Sequence, residues 1–421
     1  MALINQGIVD NVGGNYIETY LHQKGLSRTA DQEGISVIEW LNNLLINKRV
    51  DEKDFEKFLF QELFLGKRKL IRVYQLNSIR KIKYWDDWHD ILLEKYSIKS
   101  LDFNAILTSY RCSKGNPQIA AIHYNENGKG ELTRIQILFV CFIQVIEDNG
   151  CRDSYAYIPV DIDFMQKIMI LKAWNRNYVS EEYRADILID QIKNIMSYTF
   201  GVTTRNFMIK HRQVLYNMSK GILDDVYNKI PAFGQISKLQ SYIEDFEQLV
   251  FKELPIENLR QNENGKKSIP KGVMEFSDEI KKAVERLAIS DYFFDKRYEQ
   301  IWNMGIDAVI ARIKFNDSEN ILASLSGEES EKPIFCAKTF MYLKKSMEDS
   351  RSVERLWIVK NRNKGRLNIR YDATNDEYLG ILIRFGIRYT EEDINAAMEI
   401  YSNYETGTFK KITNDNTRNV G

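Results

Sequence analysis

An α+β fold is predicted for this chain: a helical N-terminal domain, then two mixed domains built from antiparallel hairpins and flanking helices. Three observations predict it. Apolar residues recur at helical spacing through the first hundred residues. After Tyr110 the period shortens to that of strands, with turn signals between successive runs. Both periods alternate again beyond a polar stretch, NLRQNENGKKSIPKG, at 258–272. The expected domains are therefore 1–108, helical; 109–257, α/β with a four-stranded antiparallel sheet; and 273–408, α+β. Residues 258–272 form a linker and 409–421 a loose tail.

The elements follow in order. Ile35, Ile38, Leu41 and Leu45 mark one helix. Phe55, Phe58, Leu59 and Leu63 mark another, whose start carries Asp51, Glu52 and Asp54, where negative charge suits the helix dipole. Gly66 suits the position just past that helix. A third helix runs through Trp85, Trp88, Leu92 and Tyr96, and within this part only 70–76 hints at a strand. Residues 118–124, 134–146, 154–162 and 166–174 read as four strands, turned at Asn127-Gly128, at 148–150 and at Asp161–Asp163. Two helices come next. Ser180 caps the first, with Glu181 and Glu182 in its opening turn and Gly201 beyond its end, and the second starts near Thr204. More helix covers 236–254.

Beyond the linker, helices are expected at 277–287 and around Tyr298 and Trp302. A strand at 309–315 pairs with 321–325. An acidic loop, 327–332, leads to a helix opened by Pro333. Residues 355–360 and 366–371, around a turn at 361–365, give the sharpest hairpin signal of the chain. Residues 378–385 form another strand, and Thr390-Glu391-Glu392-Asp393 reads as a capping box, with Asp in place of the usual Glu or Gln, that opens the last helix.

Composition excludes more than it assigns. The chain has 421 residues, 44% hydrophobic and 28% charged, which is ordinary for a globular protein. Lys+Arg and Asp+Glu are both 59, so a contact with a polyanion must come from a local basic surface. Cys112, Cys141, Cys151 and Cys336 match no zinc spacing and read as reduced, mostly buried thiols of a cytoplasmic protein. The N-terminal MALINQGIVDNVGG has neither a basic start nor an apolar core, so no signal peptide is expected. The run IQILFVCFIQVI at 135–146 is too short for a membrane span and suits a buried strand, so no membrane contact is expected. Richness in Asn, Ile, Lys and Tyr points to an AT-rich, bacterial coding sequence.

Only four His occur, with no Gly-rich phosphate loop and no nucleophile elbow. Catalysis through a Cys or His nucleophile, a zinc ion or a phosphate loop is therefore not expected, nor is a cofactor. His211 falls on an apolar helical face and reads as a core histidine. Asp186, Asp190 and Lys193 share a helical face, where charge pairs are routine, rather than the adjacent strands a metal nuclease would use. Asp86, His89 and Asp90 share another face beside Trp85 and Trp88 and read as a surface patch. Asp161 and Asp163 are accounted for by turn chemistry.

Cations are the positive signal. The hairpin WIVKNRNKGRLNIRY at 357–371 carries Lys360, Arg362, Lys364, Arg366 and Arg370 among aromatics, as a ribbon tracking phosphates would. The competing reading is an exposed hairpin kept soluble by charge. A second group, Lys67, Arg68, Lys69 and Arg72, continues to Lys83 without an acid and is interleaved with Tyr74, Tyr84 and Trp85. A third comprises Arg205, Lys210 and Arg212, with Lys220 further along. These groups lead to an expectation of a non-enzymatic protein contacting DNA or RNA, a sensor or adaptor in bacterial defence or genome maintenance. The alternatives are a scaffold subunit that meets a protein partner or a second copy of itself, and a metal-dependent nuclease with an unfamiliar site.

Overall fold

The computed structural model describes residues 4–28, 34–78, 82–108, 112–148, 150–261, 267–268, 275–293, 297–316, 322–327, 333–336, 338–362, 365–384 and 389–405. The chain is α+β and divides into two compact units: Met1–His211 with Ile369–Ser402, and Arg212–Asn368 with Asn403–Gly421. This partition differs from the three domains expected.

The first unit opens with α1 (Gln6–Val12), α2 (Gly14–Gln23), α3 (Val37–Ile46) and α4 (Glu52–Phe64). Asn5, Ser36 and Asp51 cap α1, α3 and α4, each accepting from a backbone N–H three residues on. Gly66 follows α4 with φ +29, and a Cβ there would lie 2.3 Å from the Glu62 carbonyl oxygen, so only glycine fits. The strand β1 (Leu70–Leu76) comes next, then α5 (Asp86–Tyr96), β2 (Phe103–Asn104), β3 (Gln118–Glu126), β4 (Leu132–Glu147), β5 (Gly150–Asp163) and β6 (Ile168–Ala173). A single 3-10 turn, Glu181–Tyr183, follows Ser180, and α6 (Ala185–Tyr198) starts after it. Thr204 does not open a helix. It lies in β7 (Thr204–Arg205), which pairs with the end of β1, and α7 (His211–Tyr227) begins later.

The second unit contains most of α7, then α8 (Gln240–Glu253) and a two-strand ribbon of β8 (Arg260–Gln261) and β9 (Lys267–Ser268). Within the expected linker, Arg260 and Gln261 thus pair with Ser268 and Lys267. Next are α9 (Phe276–Tyr292), a 3-10 segment at Arg297–Met304 where a helix was expected, β10 (Ala308–Asn316) and β11 (Leu322–Ser326). The unit continues with α10 (Lys338–Ser350), β12 (Arg355–Arg362) and the start of β13 (Gly365–Asp372). β10 is central to this unit's sheet, antiparallel to β11 on one side and β12 on the other. Val214, Leu215, Met218, Ile313, Phe315, Leu356 and Ile358 are buried in it. Gly221 lets Tyr404 approach α7: a Cβ there would meet the ring at 2.4 Å.

The chain returns to the first unit within β13 and continues to β14 (Leu379–Ile383) and α11 (Glu391–Glu405). Asp393 accepts from the Thr390 N–H at 2.9 Å, one half of the expected capping box. The sheet of the first unit runs β14–β1–β6–β5–β4–β3–β2, antiparallel throughout. The four expected hairpin strands are neighbours within it, but β1 is a central strand rather than a hint. A boundary at residue 108 would separate β1 from its partner β6. Alternation along β4 divides the core. Ile137, Phe139 and Cys141 join Trp88, Leu92, Ile189 and Ile192 on one face, while Leu138 and Val140 join the α1–α4 helices on the other. Each such side chain contributes about 1.5–3 kcal/mol by leaving water. No helix among the described residues is long and apolar enough to cross a membrane. The expected tail at 409–421 and the acidic loop at 328–332 lie outside the described residues.

Candidate nucleic-acid interface

The densest basic run in the sequence becomes interior structure. Arg68 is fully buried, donating from Nη1 to the Asn11 carbonyl at 3.0 Å and from Nη2 to Asn11 Oδ1 at 2.6 Å. Burial pulls its pKa down to about 9. Lys69 is buried and donates to the Arg384 carbonyl at 3.3 Å. Arg72 lies inside the sheet, paired with Asp190 of α6 and set over the Tyr378 ring at 4.4 Å. None of the three is presented to a phosphate backbone in this conformation. Lys67 alone stays half-exposed. Asp190 is committed to Arg72, and Asp186 lies 3.5 Å from Arg184.

The hairpin cations divide between faces. Alternation along β12 puts Lys360 and Arg362 on the side of Leu356 and Ile358, and Arg355 and Trp357 on the other. Arg366 is exposed, with its guanidinium 5.1 Å from the Trp302 ring. Arg370 is half-buried opposite Leu382 in the first unit, and Lys364 lies outside the described residues. In the third group, Arg205 on β7 and Lys210 before α7 are exposed, while Arg212 lies 3.4 Å from Glu354. The unit boundary at His211/Arg212 splits this group.

What the second unit does assemble is a basic, aromatic sheet face that the sequence reading missed. Register places Arg312 opposite Trp357 and Ser326, and Lys314 opposite Arg355 and Ser324. The Arg312 guanidinium stands 4.8 Å over the Trp357 ring and donates to Ser324 Oγ at 3.2 Å. Arg312, Ser324 and Ser326 are exposed, and Lys314, Arg355 and Trp357 are half-buried. Like charges directly across a strand pair, as Lys314 and Arg355 are, destabilise a sheet. Glu354 offsets part of this, with Oε2 3.5 Å from Lys314 Nζ, but it also serves Arg212. Among the described residues the face thus brings Arg312, Lys314 and Arg355 around one indole. The signal was available: cations two apart in 309–315 and two apart from Trp357 in 355–360 fall on one face once those strands pair.

No family model matches the chain, and no curated protein sequence matches it. The site therefore has to be read from its own chemistry.

A second charged group lies inside the first unit. Asp161 and Asp163 are strand residues of β5, not turn residues; the reversal comes after them. Asp161 is buried and accepts from Arg134 Nε at 2.8 Å and Nη2 at 2.6 Å, with Lys172 Nζ 4.0 Å away. Arg134 also reaches Glu391 in the first turn of α11 at 3.1 Å. Lys172 is buried, 4.1 Å over the Phe64 ring, and burial pulls its pKa down to about 8. Bidentate pairing leaves Asp161 little capacity for a metal or a proton transfer, and the group ties the sheet to α11. His211 is fully buried as expected, its Nδ1 2.7 Å from the Tyr401 hydroxyl, and burial pulls its pKa down to about 4. His89 pairs with exposed Asp90 at 3.1 Å. Among the described residues no three His, Cys, Asp or Glu side chains gather as a metal site would need. Cys112 and Cys141 are buried free thiols and Cys151 is an exposed one.

Proposed function

We propose that the protein contacts single-stranded nucleic acid through the sheet face of its second unit and does no chemistry on it. The observation that supports this reading is the Arg312–Trp357 stack, flanked by Lys314 and Arg355 on an open face. An indole and a guanidinium plane offer stacking to any unpaired base, and the cations neutralise phosphates. A duplex hides its base faces, so single strands should bind more tightly. Binding of labelled single- and double-stranded DNA and RNA at low salt tests the reading. Trp357→Ala should weaken single-strand binding by about 1–3 kcal/mol per stacked base while leaving duplex binding nearly unchanged. No detectable affinity for any of the four would overturn it.

A protein partner is the second reading, favoured by one observation. Tyr242, Phe246 and Leu249 form an apolar stripe along α8 and are 70%, 49% and 52% exposed. Such a stripe marks interfaces more often than bare surface. A monomer in light scattering at high concentration that also fails to bind nucleic acid would point to a different chain as partner.

A further inference from the structure

β11 is an edge strand whose own sequence carries none of the usual guards. It pairs with β10 on one side, and among the described residues no strand pairs with the other. Natural edges are blunted by charge, proline, a bulge or shortness. The β11 sequence LASLS has no charge and no proline, and its register with β10 runs from Leu322 to Ser326 without a bulge. By contrast β2, at an edge of the first unit's sheet, is only two residues long.

The hydrogen-bond phase shows which groups this edge offers. The Gly327 N–H donates to the Ala311 carbonyl at 3.0 Å, so by alternation Leu325 and Ala323 also turn their backbone groups toward β10. The N–H and C=O of Leu322, Ser324 and Ser326 therefore turn outward. Side chains add a preference. Leu322, Ser324 and Ser326 are exposed on the Arg312 face, and Ala323 and Leu325 are half-buried on the other. Arg312 reaches diagonally across the pair to Ser324 Oγ at 3.2 Å, so its guanidinium lies over β11. It has no carboxylate partner among the described residues. An added strand would lie about 4.7–4.9 Å from β11, which brings a side chain opposite Ser324 within reach of that guanidinium. A carboxylate there gives Arg312 an ion pair, whereas a cation meets like charge. Like charge also argues against a second copy, since pairing two β11 strands antiparallel puts both Arg312 side chains on one face of the join.

We infer that the outer edge of β11 takes an extended acidic segment of a partner protein as an added strand, its carboxylates on the Arg312 face and its apolar residues beside Leu325. Arg312 is shared with the nucleic-acid reading, but the edge amides are not, so the two can fail separately. The test uses the full chain and a short labelled peptide of alternating Glu and Val, against the same peptide with Lys for Glu. Fluorescence anisotropy should show the Glu peptide binding about tenfold or more tighter, and Arg312→Ala should remove most of that preference. Hydrogen exchange of the segment covering Ser324 and Ser326 should slow several-fold when the Glu peptide is bound. Ser324→Pro deletes an outward N–H that β10 does not use, so the fold survives. It should weaken the Glu peptide about tenfold or more. Should that variant fail to fold, exchange in the unaltered chain decides alone. Peptide binding with this protection in a chain that binds no nucleic acid supports the edge and sinks the reading of the face. Equal affinity for both peptides, or binding without protection of that segment, overturns the proposal. So does protection in the free chain that rises with protein concentration, which marks a second copy as the occupant.

Discussion

Two strands carry cations, and the fold uses them in opposite ways. Around β1, Arg68, Lys69 and Arg72 are buried against backbone carbonyls, Asp190 and Tyr378. On β10, Arg312 and Lys314 point to an open face and stand around Trp357. The β1 segment is the more basic of the two in sequence. The difference lies in neighbours. β1 has a strand on both sides and buried side chains on both faces, so its cations had to find interior acceptors. On the outer side of β10 Arg312 is exposed, and Lys314 is half-buried beside Glu354. Charge density in a sequence therefore does not tell which cations stay exposed; strand position does. The comparison predicts that interior charges govern stability and face charges govern affinity.

The largest expected effect breaks the interior network. Asp161→Asn leaves Arg134 and Lys172 without their carboxylate and should cost about 3–5 kcal/mol in denaturant unfolding. A loss under about 1 kcal/mol would mean these charges are already solvated, and the contrast with β10 would fail.

His211 offers the next effect, one that pH can titrate. Its folded pKa of about 4 lies below the ordinary 6.5. The unfolded chain therefore takes up the proton first, and stability present above pH 6.5 is lost as pH falls through about 4. The gap corresponds to about 3 kcal/mol. His211→Gln should flatten that part of the stability–pH curve; an unchanged curve would assign the acid sensitivity to other groups.

Packing in the second unit sets a smaller effect. Gly221→Ala places a methyl against Tyr404 and should cost about 1–3 kcal/mol, with Tyr404→Ala on the same background recovering part of it. No recovery would show that the two residues do not meet at this point.

The sequence made some of this legible and hid the rest for identifiable reasons. Strands β3 to β6 showed through because their period and turn residues are local, and Gly66 and Thr390 marked helix ends for the same reason. β1 was obscured because Lys69 and Arg72 look solvated unless Arg384 and Asp190 are known to be near. Thr204 looked like a helix start because its real partner, the end of β1, is remote in sequence. Asp161 resembled a turn residue, since its partner Arg134 lies on another strand. The candidate face was missed in the same way: half of it is on β10 and half on β12, and neither half is conspicuous alone.

Salt dependence of single-strand binding tests the central claim most directly. Arg312→Ala with Lys314→Ala should lower unfolding stability less than Arg72→Met does, because Arg312 is exposed and Glu354 keeps Arg212 when Lys314 is lost. It should lower the slope of log affinity against log salt by about 0.7 for each phosphate no longer neutralised. Arg72→Met should do the reverse, lowering stability and leaving the slope unchanged. A slope that falls with Arg72→Met and holds with the β10 pair would contradict the account.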